Sequence, residues 1–175
     1  MGTTKAEYLP KEKKNAWLNY NEAEVKDIMA YNEGYRKFLS VCKTERECVK
    51  ESIRLAEAAG YTDLKECIKN NTKLKTGDRV YYNNMDKALV LFQVGEEPVE
   101  NGMNILGAHI DSPRLDIKQN PLYEDTEMAL LDTHYYGGIK KYQWVALPMA
   151  LHGVVVLCDG TKKDIIIGED ECDPV

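Results

Sequence analysis

The stretch Asn104–Lys118, NILGAHIDSPRLDIK, places a histidine and an aspartate two residues apart at the end of an apolar run. From Met103 to Ile110 the run is apolar nearly throughout instead of alternating, the pattern of a strand covered on both faces of a central sheet. On such a strand residues i and i+2 project from one face, roughly 6.5–7 Å apart. His109 and Asp111 are therefore expected to point the same way at the strand's carboxyl end, where open α/β sheets carry their sites. Ser112-Pro113 would end the strand, because proline cannot donate to a ladder. That position suits a metal: a neutral imidazole binds zinc through one nitrogen, and a neighbouring carboxylate orients it. Against this stands a plainer reading. An H-x-D triplet arises by chance, and a strand-end His and Asp can simply face water.

Upstream, Glu22–Cys42 repeats apolar residues at helical spacing (Val25, Ile28, Met29, Tyr35, Phe38, Leu39), with Gly34 a weak point in its middle. Thr44-Glu45-Arg46-Glu47 is a capping-box pattern that opens a second helix through Cys48, Ile53, Leu55 and Ala56, with Gly60 as its C-cap. DRVYY-NNMDK-ALVLFQVG then reads as strand, polar turn, strand. Helices flanking a sheet give an α/β layer arrangement. Downstream of Leu115 the texture is all-β, with short strand-like runs broken by Gly, Pro and Asp-Gly. Asp159-Gly160, between GVVVLC and KDIIIG, predicts a hairpin. This β unit is appended to or inserted into the α/β part, with the boundary near Pro113 to Asn120. The chain stops at GEDECDPV directly after an apolar run, which reads as a cut.

The 175 residues suit one ordinary domain, and the 43% hydrophobic and 30% charged content describe a soluble globular chain. A net charge of −6 argues against nucleic acid as a partner; the basic runs Lys11–Lys14 and Lys162–Lys163 read as solvated surface. No segment approaches the roughly 18–20 apolar residues of a membrane span. The N-terminal stretch lacks the core of a signal peptide, and Ala6 stands where a myristoylation pattern wants Ser or Thr. A cytoplasmic location is the expectation. The five cysteines, Cys42, Cys48, Cys67, Cys158 and Cys172, form no C-x-x-C pair and read as structural thiols in a reducing compartment. Phosphate-loop, G-x-G-x-x-G and G-x-S-x-G spacings are all missing.

The longer string GAHIDSPRLDIK, with GDRVYYNNMDKALVLFQVG before it and YYGGIKKYQW after it, resembles the aspartyl aminopeptidase/vacuolar aminopeptidase I family of zinc metallopeptidases, and its bacterial members in particular. The family's A-H-x-D-S-P stands intact as Ala108 to Pro113. Its tyrosine–glycine segment is similar to Tyr136-Gly137-Gly138-Ile139-Lys140, diverging after the glycines. The resemblance implies that His109 is one ligand of a two-zinc centre and that Asp111 is the catalytic-site carboxylate that orients the ligand sphere; one histidine does not decide between zinc and cobalt or manganese. It also implies that the other ligands and a glutamate general base lie beyond Val175, past a β-rich dimerisation domain inserted after the strand.

The fold implied is α/β: N-terminal helices plus the central sheet of a zinc-exopeptidase-like catalytic domain over residues 1–114, then the start of an inserted all-β dimerisation domain over 115–175. The function implied is a metal-dependent aminopeptidase that takes N-terminal residues from peptides, assembles as a homo-oligomer through the β-rich part, and is inactive as this piece alone. A rival reading is a non-catalytic oligomerisation or binding module; a third is another metallohydrolase with an H-x-D strand end. His134 is expected to be a polar strand position, its sharper alternative being a contact into a neighbouring subunit's cleft. His152 is expected at a strand edge or turn. Tyr135, Tyr136, Tyr142 and Trp144 form a glycine-broken aromatic segment, either β core or, with the resemblance in favour, interface.

Overall fold

The structure is a computed structural model that describes residues 15–170 and Cys172; the basic run Lys11–Lys14 and half of the terminal GEDECDPV lie outside the described residues. The chain divides into two compact units, Met1–Phe38 and Leu39–Val175. The first contributes a 3-10 turn, Ala16–Asn19, capped by the Asn15 side chain, and most of helix α1, Glu22–Val41. The expected helix forms, and Gly34 does not interrupt it.

In the second unit, helix α2 (Glu45–Ala58) opens on the expected capping box. The Glu47 amide donates to Thr44 Oγ1 at 3.3 Å, and the Thr44 amide donates back to Glu47 Oε2 at 2.9 Å. The helix closes on a Schellman arrangement: Gly60 N–H donates to Glu57 O at 2.9 Å and Tyr61 N–H to Ala56 O at 3.0 Å. Gly60 has φ +85°, a conformation that costs glycine little. Strand β1 (Thr62–Asp63) leads into a short helix α3 (Leu64–Lys69), capped by Asp63 through the Lys65 amide at 2.8 Å. Strands β2 (Arg79–Asn84) and β3 (Ala88–Gln93) form the expected hairpin, and β1 pairs parallel with β2 in a three-stranded sheet. The hairpin turn carries Met85 and Asp86 at positive φ, closed by Asn83 Oδ1 accepting from the Asp86 amide at 2.9 Å.

The core lies where α2, α3 and β2 meet: Cys42, Cys48, Val49, Ala56, Cys67, Val80 and Tyr81 are buried. Three cysteines therefore behave as small apolar residues. Tyr81 donates its hydroxyl to Glu57 Oε1 at 2.7 Å, and burial, reinforced by that carboxylate, pushes its pKa up to about 12.

Strand β4 (Arg114–Asp125) and β5 (Met128–Tyr136) form a long antiparallel hairpin, and β6 (Leu151–Val156) with β7 (Lys162–Ile167) a shorter one. The β4–β5 register shifts between Ile117 and Leu122, and Pro121 sits in that irregularity, where a ladder without its N–H costs least. Between the hairpins, Lys141–Trp144 makes one helical turn, α4. The β-rich character expected after Leu115 is present, and Asp159-Gly160 lies in the β6–β7 connection with Gly160 at φ +85°.

One expectation is corrected. Met103–Ile110 is not a strand but irregular chain, and Leu106 is 100% and Ile105 79% exposed. A strand exists only beside a partner backbone, and no described strand pairs with this one.

Candidate active-site loop

His109 and Asp111 meet, though not by sharing a strand face. His109 Nδ1 lies 3.0 Å from the backbone oxygen of Asp111 and 3.1 Å from its Oδ1. A carbonyl oxygen only accepts, so Nδ1 is the donor in this contact, and in the neutral ring the lone pair is then on Nε2. The ring is 83% exposed, which leaves Nε2 open. The two residues expected to point the same way do meet, but a local loop, not the pleat of a strand, brings them together.

The loop is gripped from three sides. From α2, the Cys48 thiol donates to Ile110 O at 3.4 Å. From the end of β5, the Tyr136 hydroxyl donates to Asp111 Oδ2 at 2.8 Å. Beyond it Gly137, at φ +74°, lies so close that an added Cβ would stand 3.4 Å from Pro113 Cα. Arg114, directly opposite Tyr136 in the β4–β5 register, lies 4.1 Å over the tyrosine ring. It donates through Nε to Asp116 Oδ1 at 2.7 Å, and Glu45 Oε1 lies 3.1 Å from Nη1 as an ion pair without hydrogen-bond geometry. The Tyr136 hydrogen bond, helped by a backbone amide and by His109, holds the Asp111 carboxyl below its ordinary range; the same bond raises the tyrosine.

Other candidates go elsewhere. His134, on β5, stacks on Tyr135 with ring centroids 5.3 Å apart and faces Asp116 in the register. Tyr142 and Trp144 lie in α4. His152, on β6, is 11% exposed and clamped between carboxylates, Nδ1 at 2.6 Å from Glu47 Oε1 and Nε2 at 3.0 Å from Glu169 Oε1. It borders a cleft of about 850 Å³ between the start of α2 and the β6–β7 hairpin, and neither His109 nor Asp111 lines that cleft. Sequence reasoning missed the roles of Tyr136, Arg114 and Glu45 in supporting the loop, since nothing in their spacing connects them.

His109 fits one zinc ligand's place, with a free nitrogen and its other nitrogen bound to a carboxylate. A catalytic zinc takes about three protein ligands, and among the described residues no group of three or more His, Cys, Asp or Glu could hold a metal ion. No reaction step is therefore routed through the metal. Among the described residues no helix is long and apolar enough to cross a membrane.

The profile of a family described as "Aminopeptidase I zinc metalloprotease (M18)" matches residues 38–175. The chain belongs to that M18 family of zinc metalloproteases. It is 56% identical over 167 residues to a probable M18 family aminopeptidase 1 of Clostridium acetobutylicum, covering 95% of this chain and 36% of that protein. The crystal structure of aminopeptidase I from Borrelia burgdorferi superposes with a TM-score of 0.83 at 40% identity, covering 92% of this chain and 39% of that one. That of the M18 aminopeptidase from Thermotoga maritima does so at 0.81 and 42%, covering 93% and 34%. The α/β class is that of these structures. The chain spans about a third of the length of the curated relatives it matches.

Proposed function

We propose that these residues form the amino-terminal share of a metal-dependent aminopeptidase that removes N-terminal amino acids from peptides, with His109 binding zinc and Asp111 orienting it. The observation that carries this reading is the His109 ring itself, tied through Nδ1 to Asp111 and open at Nε2, in a chain of a zinc metalloprotease family. What bound zinc supplies in such sites is a more acidic water and a polarised carbonyl. Within this chain, Asp111 fixes the tautomer and direction of the imidazole, and the Cys48, Tyr136 and Gly137 contacts fix Asp111.

In this reading residues 1–114 belong to the catalytic domain and 115–175 open a β-rich dimerisation domain through which a homo-oligomer forms. The complete centre holds two metals, zinc by preference, with cobalt or manganese as substitutes. The cytoplasm is its compartment. Neither nucleic acid nor membrane is a partner: the net charge of −6 disfavours the first.

The test is His109→Ala in a protein of the relatives' length that carries these residues, read by zinc content and by hydrolysis of amino-acid nitroanilides. Both should fall to background. Unchanged zinc stoichiometry and rate would overturn the assignment. The 175-residue chain alone should show no turnover with zinc or cobalt.

A further inference from the structure

The site's carboxylate raises a question that its own loop leaves unanswered. Asp111 is half-exposed, and an aspartate at a surface turns freely about its side-chain bonds unless something holds it. Its Oδ1 faces His109 only while Oδ2 is engaged elsewhere. An ionised carboxylate only accepts, so whatever holds it has to donate. The described partner of Oδ2 is the Tyr136 hydroxyl at 2.8 Å, supplied from 25 residues away by the last position of β5.

That tyrosine is itself braced. Arg114 covers its ring face at 4.1 Å, and the guanidinium is hydrogen-bonded to Asp116 at 2.7 Å and ion-paired with Glu45 at 3.1 Å. The β4–β5 ladder puts Arg114 and Tyr136 opposite each other, so the stack is a product of the register. Gly137 then turns at φ +74° against Pro113, which keeps the end of β5 beside the loop. The contacts run in one line: Glu45 on α2, Arg114 on β4, Tyr136 on β5, Asp111, His109.

We infer that Tyr136 is a positioning residue for the metal-binding histidine: its hydroxyl locks Asp111 in the rotamer that fixes the His109 Nδ1–H tautomer, and Arg114 locks the tyrosine. The inference rests on the reading of His109 as a zinc ligand and adds the group that aims it. It also gives the β4–β5 hairpin a part in the chemistry, since the hairpin delivers a side chain to a carboxylate that lies before it in the chain. Outer-shell partners of this kind are worth about 10–100-fold in metal affinity or activity.

The experiment compares wild type, Tyr136→Phe, Asp111→Ala, the double variant and His109→Ala in a protein of the relatives' length, by zinc titration against a chelator and by kcat and KM. Tyr136→Phe should keep zinc stoichiometry, weaken affinity by about 10–100-fold and lower kcat more than KM, with an unchanged melting temperature. In the Asp111→Ala background it should add nothing, because it acts through Asp111; a loss that adds in full to that of Asp111→Ala would mark a merely structural role and overturn the inference. If His109→Ala abolishes zinc binding while Tyr136→Phe equals wild type, the positioning role is overturned and the ligand reading stands. Retention of zinc by His109→Ala would sink both. On the 175-residue chain, the His109 ring nitrogen resonances should show the Nδ1–H tautomer and revert towards the free-imidazole pattern in Tyr136→Phe, with Tyr135→Phe as the silent control. Identical His109 spectra in wild type and Tyr136→Phe would also refute it.

Discussion

Glu47 Oε1 lies 2.6 Å from His152 Nδ1, across 105 residues of sequence. The other oxygen of the same carboxylate accepts from the Lys43 and Thr44 amides, each at 2.9 Å, as its half of the α2 capping box. One side chain thus completes a local helix start and ties strand β6 to it. Lys50 to Asp164 at 3.0 Å joins the same hairpin to α2, and Lys162 to Asp86 at 3.3 Å joins it to the β2–β3 turn, but between exposed groups that contribute little.

The two roles of Glu47 separate in a double-mutant cycle. His152→Ala should destabilise by about 1–2 kcal/mol, the worth of a partly buried charge-assisted hydrogen bond. Glu47→Ala should cost more, since it also removes half of a cap. Chemical denaturation of both single variants and the double variant measures the coupling. A coupling indistinguishable from zero would mean that the 2.6 Å contact carries no energy.

The same pair predicts a pH dependence. Burial opposes the charge on His152, yet the hydrogen bonds it donates to Glu47 and Glu169 outweigh that and raise the pKa. The folded chain therefore holds this proton more tightly than the unfolded one. The stabilisation is complete below about pH 6.5 and is lost as pH rises through the raised value. Glu47 works in the opposite sense: burial pushes it up, but the His152 bond and the two amides bring it below its ordinary value. Its contribution is present above about pH 4.5 and fades in acid. The melting-temperature gap between wild type and His152→Gln should be wider near pH 6 than near pH 9; a gap that ignores pH would refute the clamp.

Gly137→Ala should destabilise by about 1–2 kcal/mol, because φ +74° places a side chain in the left-handed region with Pro113 alongside. Gly138→Ala, whose Cβ would meet nothing within 4 Å, should stay within about 0.5 kcal/mol of wild type. Thermal melts of the two variants decide it, and equal melting points would show that the turn against Pro113 is unstrained by a side chain.

The thiols offer a chemical readout of the core. Cys158 and Cys172 are exposed, whereas Cys42, Cys48 and Cys67 are buried. Burial, with Cys48 beside it, pushes the Cys42 thiol up to about 12, so hardly any thiolate exists at neutral pH. A thiol-specific reagent should modify Cys158 and Cys172 on mixing and the other three only as denaturant unfolds the chain. Rapid labelling of Cys42 in native buffer would contradict the packing around α2.

What was legible in the sequence was what is local. Thr44 with Glu47, Gly60, and the paired runs around Asn83–Lys87 and Asp159-Gly160 declare helix ends and hairpins within a few residues of themselves, and each forms as expected. Asp63-Leu64-Lys65-Glu66 carries a similar cap signal for α3 that went unread. The β4–β5 turn was hidden for another reason: Thr126 and Glu127 both take positive φ without the Asn or Gly that usually announces it. The apolar run before His109 was misread because apolarity says what a segment wants to be beside, not what stands beside it. The site was half legible. His109 and Asp111 are neighbours in sequence, whereas Tyr136 and Glu45 reach them only through the β4–β5 register and a helix start that no short motif encodes.

That run has a practical consequence. Leu106 stands wholly in water, and burying such a side chain is worth about 1.5–3 kcal/mol. The apolar outer strand β3, with Val90 and Leu91 half in solvent, is an edge of the same character. A solution of these residues is a solution of adhesive tape: the first backbone to lie alongside recovers that energy, whether it comes from the same molecule or from a stranger, and soluble yield will depend on which arrives first.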